Sequence, residues 1–217
     1  GAISGGASRW AIVGTGMLLS ILLLLANGIA VAVSPMLSGN LPGPVVQVAL
    51  SVLTLGLFML GLHSLPVAGT HAAEHMTVHA IERGEPLIPE IVRRMPRVHP
   101  RCGTNIAAGA AIFLGIMDSG IVQDEQFRLI LAAFVTLIFW RPIGSLLQLY
   151  VTTKPPNRQQ IESGIKAGEE LLDRYRHSGA TSGSVLGRLW NSGMPEVIMG
   201  SMSVQLLVVG IYFALVS

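Results

Sequence analysis

The sequence predicts an all-α, polytopic integral membrane protein. Of its 217 residues, 51% are hydrophobic and only 12% are charged, which is about half the charged fraction of a typical soluble domain. Several long stretches of the sequence contain no charged residue. Such stretches can cross a membrane, because a helix of about 20 residues spans the roughly 30 Å of hydrocarbon in a bilayer. We therefore expect a single membrane domain over residues 1–217, built as a bundle of about five transmembrane helices with one cytoplasmic amphipathic helix.

Five apolar runs account for the predicted transmembrane helices. They cover residues 10–34, 44–68, 104–122, 127–151 and 197–216. The first two are joined by a short uncharged turn and form an antiparallel hairpin. The third run is short before Asp118, and Arg141-Pro142 interrupts the fourth, so residues 104–151 form either a full transmembrane hairpin or a re-entrant one. In both alternatives the two ends of this hairpin lie on the same side of the membrane.

An amphipathic helix is predicted over residues 157–177. Lys154-Pro155-Pro156 ends the fourth apolar run, and Asn157 followed by Gln160 is typical of a capping box. Apolar residues from Ile161 onward then recur at spacings of three and four, with charged residues on the other faces. We expect this helix to pack beneath the bundle or to lie on the membrane surface.

The distribution of basic residues predicts the orientation. If five spans alternate across the membrane, all of the 14 lysines and arginines except Arg128 fall on one side, which is the cytoplasmic side by the positive-inside rule. We therefore expect a multi-pass protein of the cytoplasmic (inner) membrane, with the N terminus and residues 69–103 in the cytoplasm and the C terminus outside. Because the basic residues are dispersed, a nucleic-acid partner is excluded. The sequence begins at Gly1 rather than at a methionine, which leaves room for a segment ahead of it.

The polar segment over residues 70–103 contains four of the six histidines and the only cysteine. His71, His75 and His79 are spaced by four, so on a helix they follow one face, with Glu82 near the same stripe. His71-Ala-Ala-Glu74-His75 also has the form HxxEH, in which two histidines hold a zinc ion and the glutamate activates a water. The spacing alone favours a plainer alternative, in which these rings hydrogen-bond to loops or to lipid headgroups.

The end of this segment, His99-Pro-Arg101-Cys102-Gly-Thr, brings an imidazole and a thiol to the start of the third apolar run. Chain connectivity lets it fold back onto the first histidines, and imidazole, thiolate and carboxylate together favour zinc over magnesium or calcium. The sequence thus predicts a zinc site whose metal ligands are His71, His75 and one or both of His99 and Cys102. In this site Glu74 would be the general base, and Arg101 would stabilise the developing anion. Two alternatives for Cys102 stay open: a nucleophile activated by Arg101 and a nearby histidine, and a small buried residue at a helix start.

Three stretches in order, HAAEH, HPRCGT and LQLYVTTKPPNRQQIESGIKAGEELL, resemble the YqhQ-type family of uncharacterised bacterial membrane proteins, which are described as predicted metal-dependent enzymes. The resemblance runs from about Leu50 to Leu172 and implies a membrane fold with a metal site. Ala72 and Met76 depart from it, since the family has glycine and lysine there, and the chain from Gly183 onward lies outside it. The resemblance marks these residues: His71, Glu74, His75, Glu82, His99, Arg101, Cys102, Gly103, Thr104, Gln148, Thr152 and Thr153.

Two functions follow as hypotheses. The first is a metal-dependent hydrolase of the membrane, with a cytoplasm-facing zinc site and a lipid or a membrane peptide as substrate. The alternative is a non-catalytic subunit of a larger membrane complex, which contacts other membrane subunits through its additional C-terminal helix; Met76 favours this alternative. A transporter has little support, because the internal repeats common in transporters are not visible.

Overall fold

A computed structural model describes residues 8–39, 41–119, 122–178, 190 and 193–216. These ranges are helical with short connections, and no strand occurs in them, which confirms the predicted all-α membrane bundle. One π-helical turn, Gln148–Thr152, directly follows the helix Glu125–Leu147. The helices are α1 (Arg9–Ser38), α2 (Gly43–Ser64), α3 (Pro66–Glu82), α4 (Pro89–Val92), α5 (Gly103–Asp118), α6 (Glu125–Leu147), α7 (Arg158–Ser178) and α8 (Met194–Val216).

Four helices in the described part of the chain are long and apolar enough to cross a bilayer. They are Arg9–Ser38, Val45–Ser64, Glu125–Thr152 and Met194–Val216. The apolar helix α5 has only 16 residues and so reaches about 24 Å, less than the hydrocarbon thickness of about 30 Å. The predicted third run extends to residues 120 and 121, which lie outside the described residues.

The chain divides into two compact units, Gly1–Leu62 with Lys166–Ser217, and His63–Ile165. In the first unit α1 packs closely against α8 at two glycines. A Cβ atom added to Gly16 would lie 2.9 Å from the Cα of Val197, and one added to Gly200 would lie 2.9 Å from the carbonyl carbon of Val13. Helices in membranes associate through such small residues, because these allow the two backbones to approach.

The second unit contains an antiparallel hairpin of α5 and α6. Asn105, near the start of α5, lies against Gly144 near the end of α6, whereas Gly109 lies opposite Trp140 in the middle. Pro142 lies within α6 without ending it. The hairpin therefore brings the segment before α5 to the same end as the π-helical turn, which is where the candidate ligands are.

In the same unit the start of α7 packs against α3. The predicted capping box is present: the Asn157 amide donates to Gln160 Oε1 at 2.9 Å, and the Gln160 amide donates to Asn157 Oδ1 at 2.8 Å. Gln160 Nε2 also donates to the Pro66 carbonyl at 2.9 Å. Ile161 is fully buried in a small core with Ala73 and other apolar residues of α3, α4 and α7. This core holds α3 in place and with it the histidine face.

Two glycines of the α5/α6 hairpin differ in the space around them, and this difference is testable. Gly144→Ala places its methyl group 2.6 Å from the Cα of Asn105, whereas Gly115→Ala meets nothing within 4 Å. Both changes gain helix propensity, about 1 kcal/mol at most, but only the first forces two backbones apart, at a cost of about 1–3 kcal/mol. We expect thermal unfolding in detergent to show a lower midpoint for Gly144→Ala and an unchanged or higher midpoint for Gly115→Ala. Equal midpoints would contradict the close hairpin.

Candidate metal site

The structure brings the predicted ligands into two neighbouring groups. His71, His75 and Cys102 form one group, here called the thiol site, and His79, Glu82 and His99 form the other, here called the carboxylate cluster. Within each group the potential ligand atoms all lie within 4.8 Å of one another. Helix α3 supplies four of the six residues, and the segment just before α5 supplies His99 and Cys102. The two parts of the polar segment therefore fold together.

The imidazoles of the thiol site are oriented by backbone carbonyls. His71 Nδ1 lies 3.1 Å from the carbonyl oxygen of Thr152, and His75 Nδ1 lies 2.6 Å from that of Arg97. A carbonyl oxygen only accepts, so each Nδ1 carries the proton and donates it. Each Nε2 is then turned toward the centre of the site, which is the arrangement found in metal-binding histidines.

Cys102 lies at the start of α5, where it is the N-cap residue. Its Sγ accepts a hydrogen bond from the Thr104 amide at 3.4 Å and lies 3.4 Å from His71 Nε2. Burial alone would raise the pKa of the thiol, but hydrogen bonds from His71, His75 and Thr104 outweigh it and lower the pKa to about 5. For the His71 imidazole, burial alone would lower the pKa. The interactions with Cys102 and the Thr152 carbonyl outweigh burial and raise the pKa of His71. A thiolate is therefore present at neutral pH.

These donors fit a zinc ion. Zinc binds histidine nitrogen at about 2.1 Å and cysteine sulfur at about 2.3 Å, so tetrahedral ligands lie about 3.5 Å apart. The 3.4 Å between His71 Nε2 and Cys102 Sγ matches this spacing. A cation between them would displace the proton that the two atoms share, and thiolate with imidazole is a donor set that selects zinc over calcium or magnesium.

Glu74 lies beside the thiol site on α3. Its side chain is half-buried, and no described residue makes a hydrogen bond or an ion pair with its carboxylate. Burial raises the pKa of Glu74, and His71, His75 and Cys102 are near enough for their charges to act on it as well. A carboxylate with a raised pKa and free oxygens is suited to accept a proton from a water molecule.

The carboxylate cluster has a different pattern of hydrogen bonds. His99 Nδ1 accepts from the Arg101 amide at 3.2 Å, and burial, with the neighbouring His79 and His75, lowers the pKa of His99. The neutral ring therefore carries its proton on Nε2, which lies 3.3 Å from Glu82 Oε1. Glu82 is also paired with the exposed Arg101 guanidinium.

This pattern makes the carboxylate cluster a poorer cation site. His79 donates from Nε2 to the Val98 carbonyl at 2.9 Å and keeps Nδ1 open, but His99 Nε2 carries a proton in place of a free lone pair and makes no hydrogen bond with a described residue. The ring centroids of His75 and His99 are 5.7 Å apart, and those of His79 and His99 are 4.7 Å apart. The carboxylate cluster therefore lies against the thiol site through contacts between histidine rings.

Two fully buried amides fasten the segment before α5 to the end of α6. Gln148 Oε1 accepts from the His99 amide at 2.8 Å, and Gln148 Nε2 donates to Asn105 Oδ1 at 2.9 Å. Asn105 Nδ2 in turn donates to the Pro100 carbonyl at 2.9 Å. Gln148 begins the π-helical turn whose last residue, Thr152, holds His71. One short stretch thus positions both halves of the thiol site, and such π turns are frequent at functional sites.

The structure divides the six predicted site residues between the thiol site and the carboxylate cluster. His71, His75 and Cys102 lie together with Glu74 beside them, whereas His99 and Arg101 lie in or against the carboxylate cluster. The roles predicted for all six residues stay predictions. Sequence reasoning missed the structural role of Asn105, which carries no recognisable motif, and the Arg97 and Thr152 carbonyls, which no side chain reveals.

The buried amide pair predicts a coupled effect on stability. Gln148→Leu leaves the His99 amide and Asn105 Oδ1 without partners, and Asn105→Leu leaves Gln148 Nε2 and the Pro100 carbonyl without theirs. Each change should cost about 1–3 kcal/mol. The double variant should cost clearly less than the sum, because each single change already breaks the bond between the two amides. Denaturant unfolding in detergent measures the four stabilities, and strict additivity would contradict the contact.

Comparison with protein families gives one match. A family model described as a protein of unknown function (DUF1385) matches residues 12–143, a range that contains both groups of ligands but ends before Gln148. No curated protein and no solved structure matches. The description carries neither the YqhQ name nor an enzymatic activity. Because the model covers more than half of the chain, the protein belongs to the DUF1385 family.

Proposed function

We propose that this membrane protein holds one zinc ion in the thiol site and hydrolyses a bond in a lipid or a membrane peptide. One observation carries the proposal: three zinc-type donors converge, and the two histidines among them are fixed as Nδ1–H tautomers by backbone carbonyls. Histidines that only pack in a core do not need both rings held with Nε2 facing a thiolate. Three protein donors also leave a fourth tetrahedral position open, as in catalytic zinc sites.

The chain's own groups have distinct roles in this proposal. A bound zinc ion would supply Lewis acidity, polarising a water molecule or a substrate carbonyl oxygen. Glu74 accepts the proton of the attacking water and returns it to the leaving group. Cys102 contributes the thiolate charge, and the Thr152 and Arg97 carbonyls keep both imidazoles in place. The predicted role of Arg101 in stabilising an anion would require its guanidinium to leave Glu82.

The substrate class follows from where the site lies in the chain. The candidate spans Val45–Ser64 and Glu125–Thr152 end beside it: the Ser64 carbonyl accepts from Lys154 Nζ at 2.8 Å, and Val151 and Thr152 hold His63 and His71. These contacts support a site at the depth of the lipid headgroups, on the side that the distribution of basic residues predicts to be cytoplasmic. Lipids and membrane peptides present their cleavable bonds at this depth.

A second candidate is a cysteine hydrolase without zinc. It is favoured by the same 3.4 Å contact between His71 Nε2 and Cys102 Sγ and by the low thiol pKa, since a cysteine nucleophile needs an adjacent imidazole. The two candidates differ in their response to a chelator. A zinc hydrolase loses activity with the metal and recovers it on adding zinc, whereas a cysteine hydrolase keeps its activity in the chelator.

Zinc content tests the site directly. The purified full-length chain, stripped with a chelator and then loaded with zinc, should bind one zinc ion per chain, measured by plasma emission spectroscopy. His75→Ala and Cys102→Ser should each weaken zinc binding by more than about a hundredfold, since even outer residues of zinc sites contribute 10- to 100-fold. Bound zinc should also protect Cys102 from alkylation by iodoacetamide.

The matched control is His177→Ala, which removes an exposed histidine near the end of α7 that is held by Asp173. This variant should keep its zinc. His79→Ala should keep it too, because His79 belongs to the carboxylate cluster. Equal zinc content in Cys102→Ser and His177→Ala would rule out the thiol site, and two ions per chain would show that the carboxylate cluster binds a cation as well.

The role of Glu74 is tested separately from zinc binding. Glu74→Gln keeps the shape of the side chain and removes the base, so zinc content should not change while hydrolysis falls by about 10²- to 10⁴-fold. Activity is followed by mass spectrometry of lipids and model membrane peptides incubated with the reconstituted protein. Unchanged hydrolysis by Glu74→Gln would exclude Glu74 as the base, even if zinc is bound.

A further inference from the structure

An arginine-lined cavity lies next to the thiol site. It has a volume of about 520 Å³ and is lined by Arg93, Arg97, Met76, Met95 and three prolines. Here it is called the arginine pocket. The methionines and prolines form its apolar lining, and the arginines supply its charge. This combination of apolar lining with a few polar groups is typical of a small-molecule site.

The charge of the pocket is not compensated by the protein. No described residue makes a hydrogen bond or an ion pair with the guanidinium of Arg93 or Arg97, and no acidic side chain is among the residues that line the cavity. Two other arginines of this segment do have partners: Arg101 pairs with Glu82, and Arg83 contacts the Met95 sulfur at 3.6 Å. Two guanidinium groups without a protein partner at one cavity are suited to bind an anion, and their planar donor array matches phosphate oxygens.

The pocket and the thiol site share structural elements. Arg97 belongs to both: its backbone carbonyl accepts a hydrogen bond from His75, and the residue also lines the pocket. Met76, also in the lining, directly follows His75 on α3 and is almost completely buried. A molecule in the pocket would therefore contact Met76, the residue that directly follows the proposed zinc ligand His75 on α3.

The lining also suits an amphiphile better than a small soluble anion. Pro155 and Pro156 follow the end of the candidate span Glu125–Thr152, so the pocket opens at headgroup depth. Met76 and Met95 offer flexible apolar side chains that adapt to a hydrocarbon or glycerol moiety. Guanidinium groups at this depth attract anionic lipids electrostatically.

From this arrangement we infer that the arginine pocket binds the phosphate group of an anionic phospholipid, with Arg93 and Arg97 as the phosphate ligands. Lipid binding itself does not depend on zinc. The further consequence, that phosphate-bearing lipids are the substrate class of the neighbouring site, does rest on the proposed function.

Native mass spectrometry of the full-length protein in detergent tests the inference. The probes are dioleoyl phosphatidic acid, which carries the phosphate, and dioleoylglycerol, which has the same acyl chains without it. We expect one phosphatidic acid per chain to be retained and dioleoylglycerol not to be. Arg93→Gln and Arg97→Gln should each weaken retention about tenfold, the effect of losing one charge-assisted hydrogen bond.

Arg94→Gln is the matched control, because Arg94 is an adjacent, exposed arginine outside the pocket lining. It should bind phosphatidic acid as the unchanged protein does. Equal losses in Arg94→Gln and Arg97→Gln would overturn the inference, because they would show a general surface-charge effect, and so would equal retention of dioleoylglycerol.

Competition by inorganic phosphate identifies the source of the ligand. Displacement of phosphatidic acid by millimolar phosphate would show that the pocket recognises the phosphate alone, whereas resistance would show that the lipid body contributes. Zinc content measured on the same samples separates the two proposals. Loss of lipid binding in Arg97→Gln with zinc retained supports the pocket, and absence of zinc with lipid binding intact removes only the proposed hydrolase.

Discussion

The geometry of this protein depends on two hydrogen bonds from histidine rings to backbone carbonyls. Thr152 at the end of the π-helical turn and Arg97 before α5 each accept from an Nδ1–H group of α3 through their backbone carbonyls. These bonds decide which nitrogen of each ring is free, and so they decide which chemistry the ring can perform. They also join three chain segments that are far apart in sequence. The buried Gln148 and Asn105 join the segment that contains Arg97 to the π-helical turn that ends at Thr152.

The same argument explains why two similar groups of side chains differ. The thiol site and the carboxylate cluster each contain two histidines and one ligand that can be negatively charged, which is Cys102 in the first and Glu82 in the second. Both groups come from α3 and the segment that follows it. In the thiol site both ring Nδ1–H groups donate to backbone carbonyls, whereas in the carboxylate cluster His99 Nδ1 accepts from a backbone amide. Residue type and spacing do not distinguish these cases. The two groups are distinguished by whether the backbone donates to the ring nitrogen or accepts from it. The pairing of Arg101 with Glu82 adds to the difference.

The sequence predicted the helical membrane fold because charge-free runs and helix-ending prolines act locally. Both the capping box at Asn157 and the end of the fourth run near Lys154 follow from neighbouring residues alone. The convergence of His71 and His75 with Cys102 was also predictable, since a short segment must return to the start of α5. The division of ligands between two groups was not, because it depends on ring orientations set by carbonyls of Thr152 and Arg97. The structural role of Asn105 was not predictable either, because a single buried amide near the start of a helix produces no periodic pattern in the sequence.

The end of α6 has one more consequence. The candidate span Glu125–Thr152 has 28 residues, or about 42 Å of helix, against roughly 30 Å of hydrocarbon. A helix with this excess length responds to bilayer thickness by tilting or by projecting beyond the hydrocarbon. Its last residue supplies the carbonyl that orients His71. A change in acyl-chain length or sterol content would therefore shift the Thr152 carbonyl, so that bilayer thickness is mechanically coupled to the orientation of the His71 ring.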